Sequence, residues 1–134
     1  MSSTAGARPR RASPHASSRP SSHDLALAGA REALKKKATD VVILDLSTLT
    51  GVCDYFVIAS AGSEPQVKAI ADQVVAGLLE KGERVWHTEG YQALRWVLLD
   101  YVDVVIHVFH EETRAVYQLE RLWADAVKER CADD

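Results

Sequence analysis

Residues 95–109 read RWVLLDYVDVVIHVF, two apolar runs joined by a short break that holds Asp100 and Asp103. Runs this rich in Val, Ile and Leu, and this short, read as strands. WVLL (96–99) and DVVIHVF (103–109) are only a few residues apart and pair as an antiparallel hairpin. Along the first strand, Trp96 and Leu98 point to one face of the sheet, Val97 and Leu99 to the other. One of these faces must be core. If the second is not fully covered by helices, it exposes Trp or Leu, as a protein-docking surface does. The two carboxylates have three readings at this point: a buried acid/base pair, a metal site, or the turn of the hairpin.

The rest of the chain supplies layers for this hairpin. DVVILDLS (40–47) is a β-branched run that reads as a strand buried on both faces. DYFVIAS (54–60) is a second strand, with a turn-like TLTGVC between them. SEPQVKAIADQVVAGLLEKG (63–82) predicts a helix: Ser63 and Gln66 form a capping box, and Pro65 sits where its missing N–H costs nothing. Val67, Ile70, Ala71, Val74 and Leu78 line one face of that helix, and Gly82 supplies the left-handed residue that closes it. RVWH (84–87) predicts a short strand that completes a parallel β–α–β unit with strand 54–60. Upstream, Ser22 or Asp24 caps a helix running to about residue 38, with Lys35, Lys36 and Lys37 at its negative end. Downstream, a final helix is predicted over about 111–130, with Val116, Leu119, Trp123, Ala126 and Val127 as its apolar stripe. The order α-β-β-α-β-β-β-α implies an α/β fold, a mixed sheet of about five strands packed against helices.

Charge divides the chain. Residues 1–23 carry Arg8, Arg10, Arg11 and Arg19 and no acid. This Ser-, Pro- and Arg-rich stretch has too little apolar surface to repay its ordering entropy and is expected to be a disordered tail. It lacks the apolar core of a secretory signal, whereas an organellar transit peptide is an alternative reading. Residues 24–134 form the expected single domain. There the remaining 12 Lys and Arg face all 19 Asp and Glu, leaving −7. A body this acidic is poorly suited to nucleic acid, whose affinity comes from neutralising phosphates, and better suited to basic protein. No apolar run approaches the roughly 20 residues of a membrane-spanning helix. Cys53 and Cys131 stand alone, outside any disulfide or zinc spacing, as reduced thiols of a cytoplasmic protein would.

Three catalytic readings are weighed. Gly62-Ser63, between a strand and a helix, is where nucleotidyltransferases hold a triphosphate. That chemistry needs magnesium-binding carboxylates one residue apart on the next strand, and RVWH offers none. The capping box explains the Gly-Ser pair without it. His87, His107, His110, Glu111 and Glu112 lack any metal-site motif, and no G-x-S-x-G marks a nucleophile.

WVLLDYVDVVIHVF followed by RAVYQLERLW closely resembles the signature of the ribosomal silencing factor family, also called the iojap or oligomerisation-domain family. That pattern is W-x-L-x-D-x-G-D-V-x-V-H-V-F, then R-x-x-Y-x-L-E-x-L-W. DYFVIASAGSEPQVKAIADQV is similar to the family's upstream block, and the match runs over about residues 25–126. The resemblance implies a degenerate nucleotidyltransferase-like fold without catalytic, cofactor-binding or metal-binding residues. It implies a non-enzymatic translation regulator that binds the large ribosomal subunit through large-subunit protein fourteen. There it blocks the small subunit from joining and lowers translation under nutrient limitation; a ribosome-biogenesis or oligomerisation role is the alternative. The free protein is expected to be a homodimer, with little rRNA contact, no membrane and no small-molecule substrate. Carried over, the partner-contacting positions are Trp96, Tyr101 and Tyr117, with Asp100 and Glu120 as acidic companions. Leu99 enters the set as a weaker member, since strand parity lets only one of Leu98 and Leu99 share a face with Trp96. The departure is Val102, where the family usually has Gly: a turn needing φ > 0 strains a β-branched residue.

Overall fold

Apolar residues on both faces of a strand need cover on both sides, and the arrangement of the chain follows from where that cover is found. The computed structural model describes residues 21–132. Its elements in order are α1 (Ser22–Leu34), β1 (Thr39–Asp45), β2 (Tyr55–Ala61), α2 (Glu64–Glu80), β3 (His87–Glu89), β4 (Trp96–Asp100), β5 (Val104–His110), α3 (Glu111–Tyr117), α4 (Leu119–Leu122) and β6 (Val127–Cys131). They form an α/β domain with one six-stranded sheet in the order β3-β4-β5-β2-β1-β6. β2 and β5 run parallel; every other neighbouring pair is antiparallel.

β5 lies in the middle of the sheet, and all seven of its residues are buried. This explains one departure from the sequence reading. The parallel partner of β2 is β5, not the strand expected at 84–87. RVWH carries too much polarity for a central position, whereas VVIHVFH is apolar on both faces. The short strand begins later, at His87, and pairs only with β4 at the exposed edge.

α1 and α2 cover one face of the sheet. Ala26, Ala30 and Ala33 of α1 and Val67, Ile70, Ala71, Val74 and Leu78 of α2 pack there with Ile43, Val57, Leu99 and Ile106. The two helices approach closely because Gly77 of α2 leaves room for the buried Glu32 side chain of α1, and α1 sits close on the sheet because Gly29 leaves room for Ile106 of β5. Burial pushes the Glu32 carboxyl up, but hydrogen bonds from Gln73 Nε2 (2.9 Å) and Lys35 Nζ (2.9 Å) outweigh it and hold it below its ordinary range. Ser21 caps α1, one residue before the expected Ser22, by accepting from the Asp24 N–H. Ser21, Ser22 and His23, read as the end of the tail, form the cap and first turn of α1; the rest of that stretch, residues 1–20, lies outside the described residues. Ser63 caps α2, as its position predicts. Gly82, at φ +87°, closes it: Glu83 N–H bonds Leu78 O and Gly82 N–H bonds Leu79 O.

The C-terminal region differs most from expectation. The helix over 111–130 is instead α3, a single turn α4, and an edge strand β6 paired with β1. Gln118, in the left-handed region at φ +51°, stops α3. The break rotates Leu119, Trp123 and Ala126 onto the second face of the sheet, against Val42, Leu44, Ile58 and Phe109. Val116 and Val127, expected on the buried stripe, are 77% and 73% exposed.

Candidate protein-docking surface

The alternation along β4 sorts the expected contact residues onto two faces. Trp96, Leu98 and Asp100 pair with Phe109, His107 and Val105 on the face turned away from α1 and α2. Leu99 points into the helix-covered core at 0% exposure. The geometry therefore removes Leu99 from a docking surface, and Leu98 is the leucine that shares a face with Trp96.

Trp96 is the centre of an aromatic cluster. Its ring stacks on Phe109 (centroids 4.8 Å, 27°) and meets Tyr117 at 4.8 Å. Its indole N–H donates to His107 Nδ1 at 3.0 Å. The neutral His107 ring then carries its proton on Nε2, which is buried without a partner. Burial alone drives the His107 pKa down to about 3, so the ring stays neutral near pH 7. Tyr117 is the exposed member of the cluster, at 54%. Val116 beside it and Leu122 on α4 are also exposed, and sequence reading placed neither on a surface. Their signal was hidden because a single long helix would have buried Val116.

The other expected residues sit elsewhere. Asp100 is at the far end of β4, almost fully buried, and its Oδ1 accepts the Val102 N–H at 2.7 Å. It shapes the hairpin turn rather than facing solvent. Tyr101 points to the helix side of the sheet, 8% exposed, on the opposite side from Trp96. Its hydroxyl is buried without a hydrogen bond, and burial raises its pKa. Within the turn, Tyr101 O accepts the Asp103 N–H at 3.0 Å around Val102, which takes φ +75°. The position keeps the conformation that favours Gly. Asp103 O in turn accepts from Asp54 N–H and Tyr55 N–H, fastening the turn to the start of β2.

Glu120 is held by Arg114, with Nη2 at 2.9 Å and Nε at 3.2 Å. These bonds lower its pKa, and the same guanidinium reaches Asp40 O and Ser60 Oγ. A basic partner must compete with this internal clamp. Glu111 and Glu112, at the start of α3, are exposed, and Glu112 pairs with Arg95 Nη2 at 3.2 Å. His110 caps α3 through Nδ1, which accepts the Glu112 N–H.

The Gly-Ser pair is occupied with capping. Gly62 N–H donates to Gln66 Oε1 at 2.8 Å, and Gln66 Nε2 donates to the Lys36 and Lys37 carbonyls in the turn that follows α1. Among the described residues, no group of three His, Cys, Asp or Glu side chains is placed to hold a metal ion. No helix among them is long and apolar enough to cross a membrane.

Comparison with known proteins bears on the fold and the family. The family model "ribosomal silencing factor during starvation" matches residues 19–134. The ribosomal silencing factor of Halalkalibacterium halodurans is 46% identical over 91 residues, 68% of this chain and 78% of that protein. A crystal structure of a Chromobacterium violaceum protein superposes with a TM-score of 0.76 at 32% identity, covering 78% of this chain and 88% of the other. The mouse protein named mitochondrial assembly of ribosomal large subunit protein 1 is 30% identical over 92 residues, 66% of this chain and 40% of its own length.

Proposed function

The chain belongs to the ribosomal silencing factor family, a family of ribosome-associated translation regulators, and from that premise we propose that it binds the large ribosomal subunit through large-subunit protein fourteen and blocks small-subunit joining. The observation that carries this reading is the aromatic cluster. Trp96 and Phe109 lie on the sheet face that α1 and α2 leave open, Tyr117 of α3 packs on Trp96, and Tyr117, its chain neighbour Val116 and Leu122 of α4 are exposed. Exposed aromatic and apolar groups backed by a rigid sheet are the usual composition of a protein hot spot. The acidic balance of residues 24–134 favours a basic protein partner over rRNA.

Trp96, Tyr117, Val116 and Leu122 are the proposed contact set, with Leu98 and the exposed Glu111 and Glu112 at its margin. Asp100, Tyr101 and Glu120 act through the turn and the Arg114 clamp that hold this surface in shape. We read the chain as non-enzymatic, cytoplasmic and homodimeric when free. Trp96→Ala is a poor probe, because it would strip His107 Nδ1 of its donor. Tyr117→Ala removes an exposed ring and no hydrogen bond given above. It is expected to cost about 2 kcal/mol of binding to purified protein fourteen, roughly 30-fold in Kd. Intact affinity in Tyr117→Ala and in Val116→Asp, both folded, would place the contact elsewhere.

A second reading has one observation in its favour: the mouse relative is named for large-subunit assembly in mitochondria. Both roles need large-subunit binding. Pulse-labelled precursor subunits accumulating on depletion of the protein favour assembly; normal subunits that join too readily favour silencing.

A further inference from the structure

The open face of the sheet also holds a cavity of about 320 Å³ that shares only Leu98 with the proposed ribosomal contact set. Its walls are mostly apolar, including Leu46, Val52, Phe56, Leu98 and Trp123, and the polar exceptions include Asp100 and His107. That size is at the small end of the roughly 300–1,000 Å³ typical of small-molecule sites, and the lining is of the usual kind: apolar with few polar groups. His107 is the unusual wall. Trp96, which takes its Nδ1, is not part of the cavity lining, and the Nε2–H is sealed from water with no acceptor. A buried donor without an acceptor is a standing cost of the unliganded fold.

We propose that this cavity binds a small, uncharged, single-ring aromatic molecule bearing one hydrogen-bond acceptor, with its ring against Phe56 and Trp123 and its acceptor on His107 Nε2–H. The Asp100 carboxylate in the same lining disfavours an anion. Trp123 follows a single-turn helix and is only partly buried, so this wall can shift as a ligand enters, and Phe56, edge-on to His107 at 4.4 Å, must shift with it for an acceptor to reach Nε2. The proposal does not rest on ribosome binding, and every measurement below uses the free full-length chain.

The test is an NMR titration of the ¹⁵N-labelled protein with acetophenone and with ethylbenzene, a molecule of similar shape that lacks the acceptor. Saturable shifts at the Trp123 indole N–H are expected, with acetophenone binding about 5-fold tighter, the worth of one net hydrogen bond. Val52 lines the cavity and is 59% exposed. Val52→Trp should therefore block the entrance without touching the core and abolish binding of both. His107→Phe should make the two affinities equal. No saturable shift, equal affinities in the unsubstituted protein, or undiminished binding in Val52→Trp would each overturn the proposal.

Discussion

Val102 is a residue whose conformation and side chain disagree. A β-branched residue at φ +75° is strained by contact between its side chain and its own backbone, at a cost of order 1–2 kcal/mol. Val102→Gly should therefore stabilise the fold by about 1 kcal/mol in urea unfolding, after the greater entropy of an unfolded glycine is deducted. A loss of stability would mean that Val102 makes a packing contact worth more than its strain. The family pattern made this position visible in the sequence; the γ-type hydrogen bond that fixes it was not, because turn geometry depends on Asp54 and Tyr55 fastening the loop from another strand. His107 gives a second test. Its folded pKa of about 3 lies below the unfolded value near 6.5, so the unfolded chain binds the extra proton in that window. Stability from His107 is thus complete above pH 6.5 and lost as pH falls toward 3, on the order of 5 kcal/mol in all. Its ring resonances should not titrate between pH 8 and 4; a midpoint near 6.5 would show that the ring is not held in the apolar layer.

At the scale of elements, legibility followed local signals. α2 was readable because Ser63, Pro65 and Gly82 mark its ends and its apolar period is unbroken. The β4–β5 hairpin was readable because two β-branched runs flank a short polar break. The C-terminal strand was not, because helical spacing of Val116, Leu119 and Trp123 continues across Gln118 with no Gly or Pro to interrupt it. β6, with Lys128, Glu129 and Arg130, is a charged edge strand, a pattern that protects an edge from stray pairing but resembles a solvated helix. Packing of α1 on α2 offers a sharp test. A methyl group at position 77 would collide with the Glu32 carboxylate, which Gln73 and Lys35 hold in place. Gly77→Ala should cost about 1–3 kcal/mol despite its better helix propensity. A stabilised variant would show that α1 and α2 can slide apart freely.

At the scale of the molecule, the division of labour is between two sheet faces. One is sealed by α1 and α2 and carries most of the core; the other is covered by the β1–β2 connection (Leu46, Cys53) and by α3, α4 and their flanks, while Tyr117, Val116 and Leu122 stay in solvent. Strand parity separated Leu99 from Trp96 in the sequence, but it could not say which face the helices cover, or that Tyr101 turns to the covered one, since that depends on helices distant in the chain. Because residues 24–134 are acidic, binding to a basic ribosomal protein should weaken with added salt, chiefly through slower association. The most direct measurement is sedimentation of the chain with isolated large subunits, followed by addition of small subunits. The protein should pellet with large subunits, and joined ribosomes should fall as it approaches saturation, with Tyr117→Ala restoring joining. Failure to pellet, or full joining with the protein still bound, would contradict the proposed block on subunit association.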